Sequence, residues 1–186
     1  MRSMEFWKSR YELGDNSGSG SRGDLLNFKT EFINNFIKEN DIKTVLDFGH
    51  GDLYVSRELN VEDYTGIDIF DVEDNEGLNL VNCKFDEYDG ESADLVMCLD
   101  VVYHILEDEQ EYMKDSLDKM MEKTDKFLMI YAHDSEDERF ETEYSYHLYN
   151  SKWLQHMKTK EDFQLIYKQE KPEPNCSAQF YIFERK

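Results

Sequence analysis

The stretch Thr44-Val-Leu-Asp-Phe-Gly-His-Gly-Asp52 decides how this chain folds. Its first five residues are β-branched or apolar except for Asp47, and such a run predicts a short buried strand. Gly49 and Gly51 follow at once, and residues 53–59 are predicted to be helical. The stretch therefore predicts a strand, a glycine turn and a helix in direct succession.

Strands and helices continue to alternate along the chain. The predicted strands are residues 44–48, 64–69, 80–85, 93–99, 126–131, 163–167 and 179–183, and the predicted helices are residues 25–37, 53–59, 107–122 and 151–157. Because strands alternate with helices, we predict a parallel sheet with right-handed crossovers. The last two strands are only about eleven residues apart, which favours an antiparallel hairpin over a crossover.

The size and composition of the chain indicate one folded domain. The 186 residues are 39% hydrophobic and 14% aromatic, which is enough apolar material for a single core. We predict one domain over residues 1–186. Residues 14–23 are small and polar, so they predict a loop inside this domain, ahead of the helix that begins near residue 25.

The charge of the chain excludes two classes of partner. There are 21 basic and 42 acidic residues, which give a formal net charge of -21. Such a field repels phosphate backbones and anionic lipid headgroups. We therefore predict that this acidic protein binds neither nucleic acid nor a membrane.

The cysteines and the apolar runs indicate a cytoplasmic protein. Cys83, Cys98 and Cys176 are an odd number without C-x-x-C spacing, so they predict neither a disulfide framework nor a zinc ribbon. The sequence has no signal-like apolar segment and no run of about eighteen uncharged apolar residues. It indicates no particular oligomeric state.

The glycine turn lies where open α/β sheets bind ligands, at the carboxyl ends of the strands. Gly49 and Gly51 have no side chains, so backbone N–H groups there approach a ligand closely. Asp68 ends the next predicted strand, where a carboxylate is placed to bond the hydroxyls of a ribose. These residues indicate an adenosine-containing ligand, while glycines at such a turn also serve tight packing alone.

The motifs that are missing narrow the choice of ligand. A dinucleotide fingerprint would need a glycine where Tyr54 stands, and no Gly-Lys-Ser/Thr of a phosphate loop occurs. Asp47 lies two places before the first glycine, and a carboxylate there opposes an anionic ligand. S-adenosylmethionine tolerates it, because this cofactor carries an amino group and a positively charged sulfonium.

Several segments resemble known motifs over nearly the whole chain. Residues 45–52, 64–68 and 94–104 resemble the successive motifs of the class I S-adenosylmethionine-dependent methyltransferases. Trp7 to Tyr11, the Ser17–Ser21 loop, Phe28-Lys29, residues 127–131 and His147 with Trp153 are similar to a bacterial branch of that superfamily with no assigned acceptor. The predicted fold is α/β, a Rossmann-like, seven-stranded, mostly parallel sheet with helices on both faces and an antiparallel last strand.

The resemblance implies a set of cofactor-binding residues. They are Tyr11, Asp47, Gly49, His50, Gly51, Asp68, Ile69, Phe85, Asp86 and Leu99. Asp47, Gly49 and Gly51 are expected to hold the methionyl part of the cofactor, and Asp68 is expected to hold the ribose hydroxyls. Leu99 and Asp100, at the end of the fourth strand, are expected to lie beside the reactive methyl group.

The remaining implied positions surround the adenine and cover the cofactor. Ile69 is expected to pack on the adenine, Asp86 to bond its amino group, and Phe85 to wall the ring. Tyr11 and the rest of residues 1–23 are expected to form an N-terminal lid segment over the cofactor.

The chain also departs from the family pattern. His50 replaces the usual cysteine, Leu53 replaces the usual third glycine, and residues 69–80 predict a loop where the family has a helix. These departures leave open a non-catalytic or regulatory relative that binds S-adenosylmethionine without turnover.

Methyl transfer from a sulfonium is an in-line displacement, so the protein must chiefly align the acceptor and, for an oxygen acceptor, remove a proton. Candidate acceptor-side residues are Asp100, His104, His133 and His147, although a structural hydrogen bond explains any one histidine equally well. His104 comes four residues after Asp100, so the two share a helical face and are the first choice as a catalytic pair.

Two further alternatives concern the acceptor side. Asp100, His104 and His133 are also residue types that bind a divalent metal, but their spacing is not diagnostic, and no metal is predicted. Acidic residues 134–143 follow the fifth strand, where acceptor loops lie, and favour a cationic or neutral acceptor. The predicted function is methyl transfer to a small-molecule or glycan-type, sugar-containing acceptor.

Overall fold

The structure is a computed structural model that describes residues 2–72, 75, 77–105, 107–133, 152–170 and 176–186. Within these residues seven strands form one sheet. They are β1 (Thr44–Phe48), β2 (Asp63–Asp68), β3 (Asn79–Asn82), β4 (Ala93–Leu99), β5 (Thr124–His133), β6 (Phe163–Lys168) and β7 (Ala178–Arg185). Across the sheet they lie in the order β3-β2-β1-β4-β5-β7-β6.

The strand directions confirm the predicted architecture. Every neighbouring pair from β3 to β5 is parallel, whereas β7 runs antiparallel to both β5 and β6. β4 is buried along almost its full length, because it lies in the middle of the sheet and is covered on both faces. The Rossmann-like sheet, its antiparallel last strand and the final hairpin are all as predicted.

Helices cover both faces of the sheet, as predicted. The described α-helices are α1 (Arg2–Glu12), α2 (Gly23–Glu39), α3 (Gln110–Glu122) and α4 (Trp153–Met157). Ile33 of α2 shares a core cluster with Leu95 of β4, while Leu117 of α3 shares the opposite cluster with Val96. Successive residues of β4 enter different clusters because the side chains of a strand point alternately to its two faces.

The predicted helix at residues 53–59 is wrong. After the glycine turn the chain forms only a single 3-10 turn, Ser56–Glu58. Leu53 is fully buried with a φ of 66°, which lies outside the α-helical region, so the backbone turns there and does not continue as a helix. The connection from β1 to β2 is therefore irregular.

The strand β3 also differs in detail from the prediction. β3 is shorter than predicted, because Phe85 begins a separate 3-10 turn, Phe85–Glu87. The described residues between β2 and β3 contain no helix, in agreement with the predicted loop. His147 and the acidic residues 134–143 lie outside the described residues. Among the described helices, none combines the length and apolar character needed to cross a bilayer.

Candidate functional site

A cleft opens at the carboxyl ends of β1, β2 and β4, beneath α1. The space between its walls, counted out into the open solvent at its mouth, is about 880 Å³. In the sheet order, β1 lies between β2 and β4, and this is where the direction of winding reverses. Ligands of open α/β sheets bind at such a switch point.

The glycine turn after β1 brings backbone into the floor of the cleft. Gly49 has a φ of 96°, and its N–H donates to the carbonyl oxygen of Ile67 at 2.7 Å. A Cβ added at Gly49 would overlap Cγ2 of Val101. A side chain is therefore excluded here by both backbone conformation and space.

Asp68, at the end of β2, is tied to this turn. Its Oδ2 accepts a hydrogen bond from the Gly51 N–H at 3.0 Å, and its Oδ1 accepts one from the Ile69 N–H at 2.7 Å. Burial raises the pKa of Asp68, and the nearby His50 opposes that rise. The carboxylate is held at one wall of the cleft by two backbone donors.

Asp47, on β1, is a buried carboxyl group with an unsatisfied oxygen. Its side chain is 2% exposed, and its Oδ2 accepts a hydrogen bond from the Tyr64 hydroxyl at 2.9 Å. Among the described residues, no donor contacts its Oδ1. Burial raises the pKa of Asp47 to about 6. Asp47 lines the cleft, and a buried carboxylate oxygen without a partner at such a place is suited to a donor from a ligand.

The structure brings together nine of the ten predicted cofactor-binding residues. The nine that line the cleft are Tyr11, Asp47, Gly49, His50, Gly51, Asp68, Ile69, Phe85 and Leu99. Asp86 is not among the lining residues, although its Oδ1 is buried without a partner in the described part of the chain. The ring of His50 is buried, and its Nδ1 lies 2.8 Å from the Gly51 carbonyl oxygen.

Asp100 lies directly after β4 in a left-handed backbone conformation, with a φ of 59°. Its Oδ2 pairs with Nζ of Lys29 at 2.6 Å, and its Oδ1 accepts a hydrogen bond from the Tyr103 hydroxyl at 2.6 Å. Asp100 lies outside the 3-10 turn Val102–His104 and has a positive φ, so Asp100 and His104 do not share a helical face as predicted. The partners of Asp100 are thus different from the predicted one.

The two candidate histidines in the described part of the chain lie on either side of Tyr103. The His104 ring lines the cleft and contacts the rings of Trp7 at 4.7 Å and Tyr103 at 4.5 Å. His133 does not line the cleft and stacks on Tyr103 at 4.9 Å. Within the described ranges, no three His, Cys, Asp or Glu side chains form a group suited to a metal ion.

The N-terminal segment, residues 2–22, closes over the cleft. The Tyr11 ring stacks on Phe70 at 3.8 Å, and its hydroxyl lies 2.8 Å from Oγ of Ser17. Asp52 anchors the segment: its Oδ2 accepts from the Ser17 N–H at 2.9 Å and pairs with Arg22 at 2.5 Å. The structure places this segment over the cleft, and its role as a lid over a bound cofactor stays a prediction.

Several residues that line the cleft were not predicted from the sequence to belong to the site. They are Ser3, Met4, Asp52, Val55, Val101, Ile105 and Tyr112. Lys29 was named only as part of a segment similar to methyltransferases, although its position in the sequence indicates a role in the site. It lies at helical spacing with Thr30, Ile33 and Ile37 on the buried face of α2. A lysine on an apolar face needs a buried partner.

Comparison with solved structures identifies the fold. The N-methyltransferase NodS of Bradyrhizobium japonicum has a TM-score of 0.70 at 11% identity, and 98% of each chain is covered. Magnesium protoporphyrin IX methyltransferase of Synechocystis has a TM-score of 0.67 at 15% identity, with 99% of this chain and 92% of that chain covered.

A third similar structure is the small RNA methyltransferase HEN1. Its TM-score is 0.63 at 16% identity, with 86% of this chain and 25% of that chain covered. No protein-family model and no curated protein matches the chain. The sheet order and these likenesses together show that this chain has the fold of the class I S-adenosylmethionine-dependent methyltransferases.

Proposed function

We propose that this protein transfers a methyl group from S-adenosylmethionine to a small-molecule or sugar-containing acceptor. The observation that carries the proposal is the buried Oδ1 of Asp47, which has no donor in the described part of the chain, in a residue that lines the cleft at the switch point of the sheet. The solved magnesium protoporphyrin IX methyltransferase holds S-adenosylmethionine, and NodS holds S-adenosylhomocysteine.

The residues present suit this cofactor. Asp47, which lines the cleft, has an unsatisfied carboxylate oxygen that suits an ammonium group, and a buried charge of this kind is stabilised by pairing. Asp68 retains lone pairs for the ribose hydroxyls after accepting from Gly51 and Ile69. Phe85 presents a buried aromatic ring at the same cleft. The cleft therefore has a polar end for the amino-acid and ribose groups and an apolar end for the adenine ring of this cofactor.

The proposed roles are those that the resemblance implies, and the positions of the lining residues support them. Asp47, Gly49 and Gly51 hold the methionyl group, Asp68 holds the ribose, and His50 supports the turn through the Gly51 carbonyl. The adenine-side residues are Ile69 and Phe85, together with Asp86, which does not itself line the cleft. The methyl-side residues are Leu99 and Asp100, and the covering residue is Tyr11.

S-adenosylmethionine supplies, when bound, a methyl group on a positively charged sulfur. The protein's own part is to orient the acceptor and exclude water. Asp100 and His104 face the cleft for the first task, with His133 behind Tyr103. The N-terminal segment, anchored by Asp52, serves the second.

The acceptor class rests on charge and shape. The net charge of -21 disfavours polyanionic acceptors such as RNA. The cleft is covered by α1, so a small molecule fits it better than a folded macromolecule. The proposed acceptor is therefore small and neutral or cationic.

Titration calorimetry and a transfer assay test the function. We expect both S-adenosylmethionine and S-adenosylhomocysteine to bind, and labelled methyl to pass from the donor into a metabolite extract with release of S-adenosylhomocysteine. Absence of binding at millimolar ligand would refute the proposal. Binding without transfer would instead favour a regulatory protein, a function consistent with Asp100 having both oxygens engaged.

Asp47 predicts how cofactor affinity depends on pH. Burial raises its pKa to about 6, so the carboxyl is largely protonated at pH 5 and ionised at pH 7. A cationic ammonium group binds the ionised form, so we expect affinity for S-adenosylhomocysteine to fall about tenfold from pH 7 to pH 5. Calorimetry across this range measures the change.

The same titration in Asp47→Asn separates Asp47 from Asp68, whose pKa burial also raises. This variant is expected to bind more weakly at pH 7 and to lose most of the pH dependence. The stability of the protein without ligand depends on pH in the opposite direction from the ligand affinity. A raised carboxyl pKa favours the protonated folded state, so the Asp47 contribution to stability falls as the pH rises from about 4 to about 6. An unchanged pH profile in Asp47→Asn would contradict the assignment.

A further inference from the structure

Lys29 is buried to a degree that a lysine rarely reaches. Its side chain is 1% exposed, and it projects from the apolar face of α2 into the cleft. Its Nζ lies 2.6 Å from Oδ2 of Asp100 and 5.4 Å from the centre of the Tyr131 ring. Burying an ammonium group is costly, and an ion pair with a cation–π contact offsets that cost.

Each carboxylate oxygen of Asp100 has one partner in the described part of the chain. Tyr103 donates to its other carboxylate oxygen at 2.6 Å, and a Cβ added at Gly20 would lie 3.1 Å from its Oδ2. The backbone of Asp100 has a φ of 59°, a conformation that costs energy for a residue with a side chain. Such a costly backbone conformation points the carboxylate into the cleft, where it meets two strong donors.

The charges of this cluster nearly cancel. Lys29 supplies one positive charge and Asp100 one negative charge at ion-pair distance, and the burial of Tyr103 raises the pKa of its hydroxyl, which keeps it a neutral donor. The remaining lone pairs of Asp100 accept hydrogen bonds from a ligand in the cleft. A cationic group placed there would be attracted by Asp100 and repelled by Lys29.

We propose that Lys29 and Tyr103 are positioning residues that neutralise and orient Asp100, so that the acceptor side of the cleft takes an uncharged group that donates a hydrogen bond. This inference rests on the proposed function, in which Asp100 lies beside the transferred methyl group. It assigns to Lys29 the discrimination between neutral and cationic acceptors.

Two nucleosides serve as probes without any knowledge of the acceptor. Sinefungin carries a protonated amino group where S-adenosylmethionine carries its methyl group, and S-adenosylhomocysteine carries nothing there. The ratio of their affinities therefore reports the charge beside the methyl position. A purely structural role of Lys29 would change both affinities together and leave the ratio unchanged.

The test compares this ratio by calorimetry in four variants. Lys29→Met is expected to raise the affinity of sinefungin relative to S-adenosylhomocysteine about tenfold, because an unneutralised carboxylate then faces the amino group. Asp100→Asn is expected to lower the ratio by a similar factor. Lys29→Arg retains the charge and is expected to keep the ratio of the unsubstituted protein. Lys38→Met, on an exposed position of the same helix, is the matched control.

The outcomes separate this inference from the function on which it rests. Binding of neither nucleoside by the unsubstituted protein would overturn both. Binding of both with a ratio that Lys29→Met leaves unchanged or lowers would overturn the inference alone. Asp100→Asn nearly preserves the shape of the side chain, so a ratio that fails to fall in this variant overturns the inference even where Lys29→Met does not fold.

Discussion

Asp68→Ala is expected to weaken the binding of S-adenosylmethionine about a hundredfold. Hydrogen bonds to a charged group contribute roughly 1.5–3 kcal/mol each, so the loss of the proposed ribose contacts alone would reach this size. The substitution also removes the acceptor of the Gly51 and Ile69 N–H groups, which leaves the glycine turn without its anchor on β2. Calorimetric titration with the cofactor measures the effect directly.

Asp63→Ala is the matched control for this prediction. Asp63 begins β2 at its amino end and is exposed, whereas Asp68 ends the same strand at the cleft. Both variants lower the negative charge of the protein by one, so a difference between them reports the site and not the net charge. Equal affinities in Asp68→Ala and Asp63→Ala would show that the cleft does not bind the ribose at Asp68.

Gly49→Ala is expected to destabilise the protein more than Gly14→Ala. Both glycines have a positive φ, 96° and 77°, so both variants carry the backbone strain of a side chain in the left-handed region. A Cβ at Gly14 meets nothing within 4 Å, whereas one at Gly49 overlaps Val101. Overpacking costs about 1–3 kcal/mol, so the free energy of unfolding should differ by that amount between the variants.

A second substitution tests the origin of this difference. Val101→Ala removes the methyl group that the new Cβ overlaps, so it should recover most of the extra loss in the Gly49→Ala background. The backbone strain should remain, because it does not depend on Val101. Chemical denaturation of the single and double variants gives the coupling energy, and additive effects would contradict a contact between these two positions.

The strands were predictable because their signal is local. β4 was predicted with both ends correct, since a run of apolar residues bounded by polar ones marks a strand buried on two faces. The helix α2 was predicted from the helical spacing of its apolar residues. The predicted helix after Gly51 is wrong. Leu53 is apolar and lies at helical spacing, but its backbone has a positive φ, so the side chain is buried without a helix.

Part of the site was predictable for the same reason. The carboxyl ends of neighbouring parallel strands meet at one edge of a sheet, so Asp47 and Asp68 could be assigned to one cleft from their places beside the glycine turn and at the end of the next strand. The pairing of Asp100 could not be predicted from the sequence. Its partner Lys29 lies 71 positions away on another element, and nothing in the local pattern around either residue specifies that contact.

The amino-acid sequence by itself determined the parallel sheet, its final hairpin and the glycine turn, because hydrophobic periodicity and glycine content act over a few neighbouring residues. Only the tertiary structure decided that Asp100 pairs with Lys29 and Tyr103, that His104 packs on Trp7, and that Asp52 anchors the N-terminal segment. Side chains far apart in the chain meet only after the sheet has formed, and the partner of a buried charge is set by which opposite charge the folded backbone brings within reach.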